Sequence, residues 1–361
     1  MKQEKTERSL ALIGNFGAAT ATANGQVIKT QTLYRCLCGY VEPTTKKLDT
    51  NGWKRHPVKM LFSAFRLARE NRTLIMCVAH NGVGVFAALL DFFRRRYGNR
   101  VFYSVVGGWL PDMLDRKRKL KKRLLRFDGL LVETETMARR LSEQGFRNVH
   151  VIRNFKQLTP VRTPIEEYRM ETTCRFCIFS RVSREKGIPD AISAVCRLHD
   201  EGFPVELHIY GSVVEDYQEE FSAATERHPE IVYHGMIAPS ESVRTICRYD
   251  ALIFPTRSFT EGVPGTIVDA YAAALPVIAS EWESASDILN EKTAILYPFG
   301  KSEELVSSLR YALTHREKLV EMRSNALKEA EKYSAATNMK QLEGILYENS
   351  SGHSESSDGW R

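Results

Sequence analysis

Short apolar runs alternate with stretches of helical period along most of this chain, and the series runs through twice. That alternation constrains the fold more than any other feature. Ser9–Asn15, Thr73–Ala79, Val101–Val106, Gly129–Val132 and Val149–Ile152 read as strands, with helical segments such as Gly84–Tyr97 and Thr136–Gln144 between them. Pro160 and Pro164 mark a linker, after which Arg175–Phe179, Val205–Tyr210, Ile231–His234, Ala251–Phe254 and Pro276–Ala279 repeat the pattern. Strands separated by helices of this length build βαβ units and parallel sheets. At 361 residues the chain exceeds one ordinary core, so the pattern predicts two doubly wound α/β domains facing each other across a cleft. Ligands of such sheets bind at the carboxyl ends of the strands. The expected boundaries are 1–158 and 159–332, then a helix over 333–348 packing back toward the N-terminal domain. A polar, Ser-rich tail over 349–361 is expected to be disordered.

Composition excludes several classes. Hydrophobic residues are 43% and charged residues 26%, a globular balance, and no apolar run approaches the ~20 residues that span a bilayer. Seven scattered cysteines do not make a disulfide scaffold, and the polar start Met1-Lys2-Gln3-Glu4-Lys5 predicts no export signal. The expected location is the cytoplasm. The net charge of +7 hides a split, because residues 1–160 carry 30 Lys+Arg against 12 Asp+Glu and residues 161–361 carry 21 against 32. A basic half of this kind meets something anionic.

The strongest motif is the segment from Phe254 to Ser280, FPTRSFTEGVPGTIVDAYAAALPVIAS. A strand ends near Phe254, a polar loop carries Glu261, and Pro264, Gly265 and Thr266 open an Ala-rich helix holding Asp269. A helix N-terminus behind a glycine loop attracts phosphate through its free N–H groups and its dipole, and carboxylates there can accept bonds from sugar and ribose hydroxyls. Without further context both acids also read as solvated helix-start residues. A second motif, Phe179 to Ile188, places Arg181 and Lys186 just after a strand, a pair able to neutralise a leaving diphosphate. A third, Gly14 to Thr30, is rich in small residues, and Gly17 and Gly25 can let backbone approach a ligand closely.

The Phe254–Ser280 segment resembles the donor-sugar motif of the retaining glycosyltransferases of family four, which have the GT-B fold of two Rossmann-like domains. The resemblance implies that Glu261 contacts the transferred sugar and that Asp269 contacts the nucleotide ribose. Asp269 stands where the family usually has Glu and is one methylene shorter. Arg181-Val182-Ser183-Arg184-Glu185-Lys186-Gly187 is similar to the family's Arg-x-x-x-Glu-Lys-Gly element, which implies diphosphate binding by Arg181 and Lys186. The loop with Gly17, Asn24 and Gly25 resembles the one that covers the donor phosphates and edges the acceptor. Tyr210-Gly211-Ser212 resembles the nucleotide-side glycine turn, and His234-Gly235 a strand end of the same family. The matches run from about residue 11 to about residue 330. The C-terminal ones are the specific ones.

One departure concerns the N-terminal domain. Many family members have a His where this chain reads Gly107-Gly108-Trp109-Leu110-Pro111. Gly108 and Trp109, with His80 after an earlier strand, are therefore the acceptor-side candidates together with Asn24. A structural hydrogen-bonding role is the competing reading of His80.

Asp115–Phe127 reads as one basic helix carrying Arg116, Lys117, Lys119, Lys121, Lys122 and Arg123. Leu120, Leu124 and Phe127 form an apolar stripe, the pattern of a helix lying on an anionic membrane. A solvated basic face and a nucleic-acid face are the alternatives, the latter without aromatic interleaving. His80 to Ala87 has the G-x-G-x-x-A form of a dinucleotide fingerprint, but the acid expected about 20 residues later is absent. Cys174-Arg175-Phe176-Cys177 has no second cysteine pair to complete a metal site, and no D-x-D signature occurs.

These readings converge on a metal-independent hexosyltransferase of the retaining type, peripheral on the inner face of the cell membrane. Its co-substrate would be a nucleotide-diphosphate sugar and its acceptor an oligosaccharide, plausibly lipid-linked, in surface polysaccharide assembly. No cofactor, metal or nucleic-acid partner is expected. A sugar-nucleotide epimerase of the same architecture and an inactive sugar-nucleotide-binding subunit are the rival readings.

Overall fold

A computed structural model describes residues 8–17, 25–157, 160–161 and 171–347. Asn24, Pro164 and the tail 349–361 lie outside the described residues. The chain divides into two compact units, Met1–Asn154 with Ala335–Arg361 (unit 1) and Phe155–Ser334 (unit 2).

Unit 1 begins β1 (Leu10–Gly14), α1 (Gly25–Cys36, prolonged by a π-type turn over Leu37–Val41), β2 (Lys46–Asp49), α2 (Pro57–Glu70), β3 (Thr73–Cys77) and α3 (Val83–Tyr97). It continues β4 (Arg100–Ser104), α4 (Leu110–Arg116), α5 (Arg118–Leu124), β5 (Gly129–Val132), α6 (Glu135–Glu143) and β6 (Val149–Val151). The six strands form one parallel sheet in the order β2-β1-β3-β4-β5-β6. β1, β3 and β5 are buried at every position, because helices on both faces leave no side for polar residues. The steps β2→β3, β3→β4 and β4→β5 all run the same way across the sheet. Right-handed crossover then places α2, α3 and α5 side by side on one face.

Unit 2 repeats the plan: β7 (Cys174–Phe179), α7 (Ile188–Asp200), β8 (Val205–Tyr210), α8 (Gln218–Arg227), β9 (Ile231–Tyr233), α9 (Ser242–Ile246), β10 (Ala251–Phe254) and α10 (Gly265–Ala272). It ends with β11 (Val277–Glu281), β12 (Ala294–Pro298), α11 (Glu303–Thr314) and α12 (Arg316–Ala330). Its parallel sheet has the order β12-β11-β10-β7-β8-β9. Two packed clusters flank it, one around Phe176, Ile188, Val195 and Leu207, the other around Leu252, Ile267, Tyr271 and Trp282. The chain then returns to unit 1 as α13 (Ala335–Tyr347). There α13 buries Met339, Leu342 and Leu346, and Gln341 Nε2 donates to Val151 O at 3.1 Å.

Two sequence expectations change. The single helix over Asp115–Phe127 breaks at Lys117, whose φ of −113° and ψ of 70° leave the helical region and separate α4 from α5. Its apolar stripe also points inward: Leu120, Leu124 and Phe127 belong to the core of unit 1. That stripe therefore cannot lie on a membrane, although Arg116, Lys117, Lys119 and Lys122 remain exposed beside it and Lys121 and Arg123 half-exposed.

Candidate functional site

In unit 2 the carboxyl ends of β7, β8 and β10 carry three loops that grip one another. Gly187 has φ +70°, and a Cβ there would lie 1.8 Å from Pro255 O, so only glycine lets the loop after β7 pass under the loop after β10. Gly211 has φ +141°, and a Cβ there would lie 1.7 Å from Ser180 O. Val182 N donates to Ser212 O at 2.9 Å, and Arg257 N to Glu185 O at 3.0 Å. The Arg257 guanidinium holds Asp190 through both carboxylate oxygens, at 2.8 and 2.6 Å. Paired donors of this kind fix geometry as well as charge.

This framework brings Lys186 and Glu261 together. Lys186 Nζ donates to Glu261 Oε1, and Thr256 Oγ1 donates to the same oxygen at 3.2 Å. Ser284 Oγ fixes the backbone by donating to Glu261 O at 2.9 Å, and Ser280 Oγ donates to Thr256 O at 2.7 Å. Both members of the pair are only partly buried. Arg181 lies exposed on the same loop, and among the described residues nothing pairs with its guanidinium.

α10 starts at Gly265 with no side chain capping its first turn, so its free N–H groups face outward. The Thr266 hydroxyl there is buried without a hydrogen-bond partner. One turn on, Asp269 is 2% exposed and accepts from Lys156 Nζ at 2.6 Å. Lys156 also lies against the start of α10, 3.4 Å from where a Cβ on Gly265 would stand. Burial raises the Asp269 carboxyl above its ordinary value, while Lys156 and the Ser242 hydroxyl pull it back. The close ammonium and the upward direction oppose each other, and at this depth desolvation prevails.

At the neighbouring edge, His234 follows β9 and stacks on Tyr210 at 4.6 Å and on His208 at 5.1 Å. Burial lowers both imidazoles below their ordinary value. His208 and Arg248 lower His234 further, while Glu206 raises His208 in part.

Unit 1 gathers a second set at its own strand ends. The His80 ring meets Trp109 edge-on at 5.9 Å, and Trp109 Nε1 donates to Val106 O at 2.6 Å. Gly107 supplies the turn with φ +78°, and Gly108 stands between it and Trp109. Gly17, with φ +74°, packs against Val27. Gly25 opens α1, and among the described residues no atom lies within 4 Å of its Cβ position. Lys29 Nζ donates to Val105 O at 2.7 Å and pairs with the buried Glu133.

Sequence reasoning missed Lys156, the Arg257–Asp190 brace and the Lys29–Glu133 pair. Each joins residues far apart in the chain, and no local pattern marks them. Among the described residues one set could hold a metal ion: Cys196, His228 and Glu230, with ligand atoms within 4.8 Å of one another. It sits on α7 and at the amino end of β9, the opposite end of the strands from these loops. Burial pushes the Cys196 thiol up to about 12, which keeps the sulfur protonated at neutral pH.

Comparison with known proteins identifies the fold. Residues 173–315 match the family model described as Glycosyl transferases group 1. No curated protein matches the chain. Sucrose-phosphate synthase from Thermosynechococcus elongatus superposes with a TM-score of 0.73 at 14% identity, covering 94% of this chain and 99% of that one. HepE of Anabaena, in complex with UDP, superposes at 0.71 with 15% identity over 94% of this chain and 100% of that one. The lipopolysaccharide outer core galactosyltransferase WaaB, in its apo form, gives 0.67 at 15% identity over 94% and 99%. The two parallel six-stranded sheets with their alternating helices are therefore a GT-B fold, and unit 2 carries the match to a group 1 glycosyltransferase domain.

Proposed function

We propose that this chain is a retaining hexosyltransferase that moves a sugar from a nucleoside-diphosphate donor to an acceptor hydroxyl without a metal ion. The observation that carries the reading is the Lys186–Glu261 pair, set on braced loops of which one also carries Arg181 and the other leads into the uncapped start of α10. The chemistry needs a diphosphate to leave while the anomeric carbon is attacked. Arg181, Lys186 and the α10 N-terminus offset the charge that develops on the leaving oxygens. The unpartnered Thr266 hydroxyl supplies one more donor at that end of the helix.

The ion pair has a defined resting function in this scheme. Before the donor arrives, Lys186 neutralises Glu261. A bound diphosphate draws the ammonium away, and the freed carboxylate then accepts hydrogen bonds from the sugar hydroxyls. Asp269 is buried behind Lys156, so the ribose hydroxyls fall to that pair, with Lys156 its exposed member. The Gly211 turn borders the nucleotide. Gly17 and Gly25 are assigned to donor binding, and Asn24, His80, Gly108 and Trp109 to acceptor binding. The acceptor is a lipid-linked oligosaccharide, and the enzyme works at the inner face of the cell membrane.

HepE has been captured with UDP and with UDP-glucose, which makes uridine donors the first to test. The experiment is a thermal-shift series of nucleoside diphosphates and their sugars on the wild type and on Glu261→Ala. One diphosphate raises the melting temperature of both proteins, and its sugar form adds a further shift only in the wild type. Turnover of Glu261→Ala falls by about 100-fold or more, the scale of a lost transition-state contact. A folded protein that no nucleotide or nucleotide sugar stabilises refutes the reading. Interconversion of the donor sugar without acceptor would establish an epimerase instead.

A further inference from the structure

α2 carries two apolar stripes, and the core uses one. Ala64, Leu67 and Ala68 are buried beneath it. Val58, Leu61, Phe62 and Phe65 recur at spacings of three and four on the other side, with exposures of 65, 52, 72 and 37%. On α3, Val85 and Phe92 are likewise exposed, at 49 and 50%. The two helices adjoin, since the Phe65 ring meets Tyr97 edge-on at 5.6 Å and Phe93 at 6.5 Å. Packing within unit 1 explains the inner stripe, and among the described residues it covers the outer one only in part, at Phe65. Exposed apolar surface this contiguous marks an interaction face.

The charge around it selects the occupant. α2, α3 and α5 share one face of the sheet and together carry eleven Lys+Arg against two acids, Glu70 and Asp91. Neither acid faces outward unneutralised. Glu70 is bonded to Lys46 and Arg66, and the buried Asp91 is paired with Arg95 and Arg126. Aromatic and aliphatic side chains ringed by uncompensated cations match a lipid interface with anionic head groups. We propose that the outer face of α2 and α3 docks unit 1 onto an anionic membrane, with Phe62 and Phe92 entering the interface and the flanking cations on lipid phosphates. The basic segment after Asp115 contributes charge to this surface; Leu120, Leu124 and Phe127 of its stripe are buried, and Leu125 is exposed at 43%.

The inference rests on the membrane part of the proposed function and is independent of the donor site. The test is co-sedimentation of the full chain with phosphatidylcholine vesicles, with and without phosphatidylglycerol. Wild type binds only the anionic vesicles. The triple variant Leu61→Ser/Phe62→Ser/Phe92→Ser keeps its melting temperature and loses about tenfold or more in partitioning, since each large apolar side chain contributes on the scale of its buried area. A Phe62→Trp variant gains blue-shifted emission, relative to wild type, when anionic vesicles are added. Failure to bind those vesicles, or binding with no change in Phe62→Trp emission, overturns the proposal. So does conversion of an oligomer to a monomer by the triple variant, which would make this face a subunit interface. The thermal shift by nucleotides without lipid reads the donor site separately, so the two failures cannot be confused.

Discussion

At the scale of single residues, the loops of unit 2 depend on two glycines whose neighbours leave no room for a methyl group. Gly187 and Gly211 combine positive φ with backbone oxygens under 2 Å from the would-be Cβ. Gly187→Ala and Gly211→Ala should each cost at least about 2 kcal/mol, through strain and displaced backbone. Gly25→Ala, with no described residue within 4 Å of its Cβ position, should stay within about 0.5 kcal/mol. Urea unfolding of the three variants checks this, and equal stabilities would show that the loops do not interlock. The same scale shows what local sequence could and could not reveal. Glu261 and Asp269 stand out because a loop acid, a Pro-Gly turn and an Ala-rich helix occur in order. Their pairing does not stand out. Lys186 stands in a motif of its own but lies 75 residues from Glu261, and Lys156, in no motif, lies 113 from Asp269, distances that only the folded sheet closes.

Among elements, the strand pair β8–β9 carries a pH dependence. His208 and His234 both titrate below their ordinary value when folded. A depressed base favours the neutral form in the native state. Its contribution is therefore present above the unfolded pKa of about 6.5 and is lost as pH falls through the lower folded values. Wild type should thus lose more stability than His234→Phe between about pH 7 and pH 5, the Phe ring keeping the stack on Tyr210 without a proton to bind. Denaturant midpoints at the two pH values measure the difference, and parallel losses would remove the histidines as its source. Buried strands such as β3 and β10 were legible because both of their faces are covered and their runs are almost wholly apolar. β2 reads Lys-Lys-Leu-Asp and sits at the sheet edge, where the core asks for no such run. The basic helix misled for a related reason. Leucines at helical spacing report an apolar face, and spacing alone does not distinguish a bilayer from the protein's own core, where Leu120 and Leu124 reside.

On the scale of the molecule, two units of similar plan and opposite charge share one chain. A donor held chiefly by unit 2 stabilises that unit, by about 2.7 kcal/mol at one hundred times its dissociation constant. Scanning calorimetry with saturating nucleotide should therefore move the unit 2 transition further than the other. A common shift of the whole endotherm would mean that the units unfold together. The division into units follows contacts more than sequence order, since α13 belongs to unit 1 although it follows all of unit 2. Arg8 reaches Glu343 at 3.4 Å, and Arg100 donates to Leu346 O in the same helix. A ribosome makes β1 to β6 first and α13 only after every residue of unit 2 has emerged. At about 5–20 residues per second the nascent first unit waits on the order of ten seconds or more for its last helix. During that interval the apolar seat of Met339, Leu342 and Leu346 stays open to solvent.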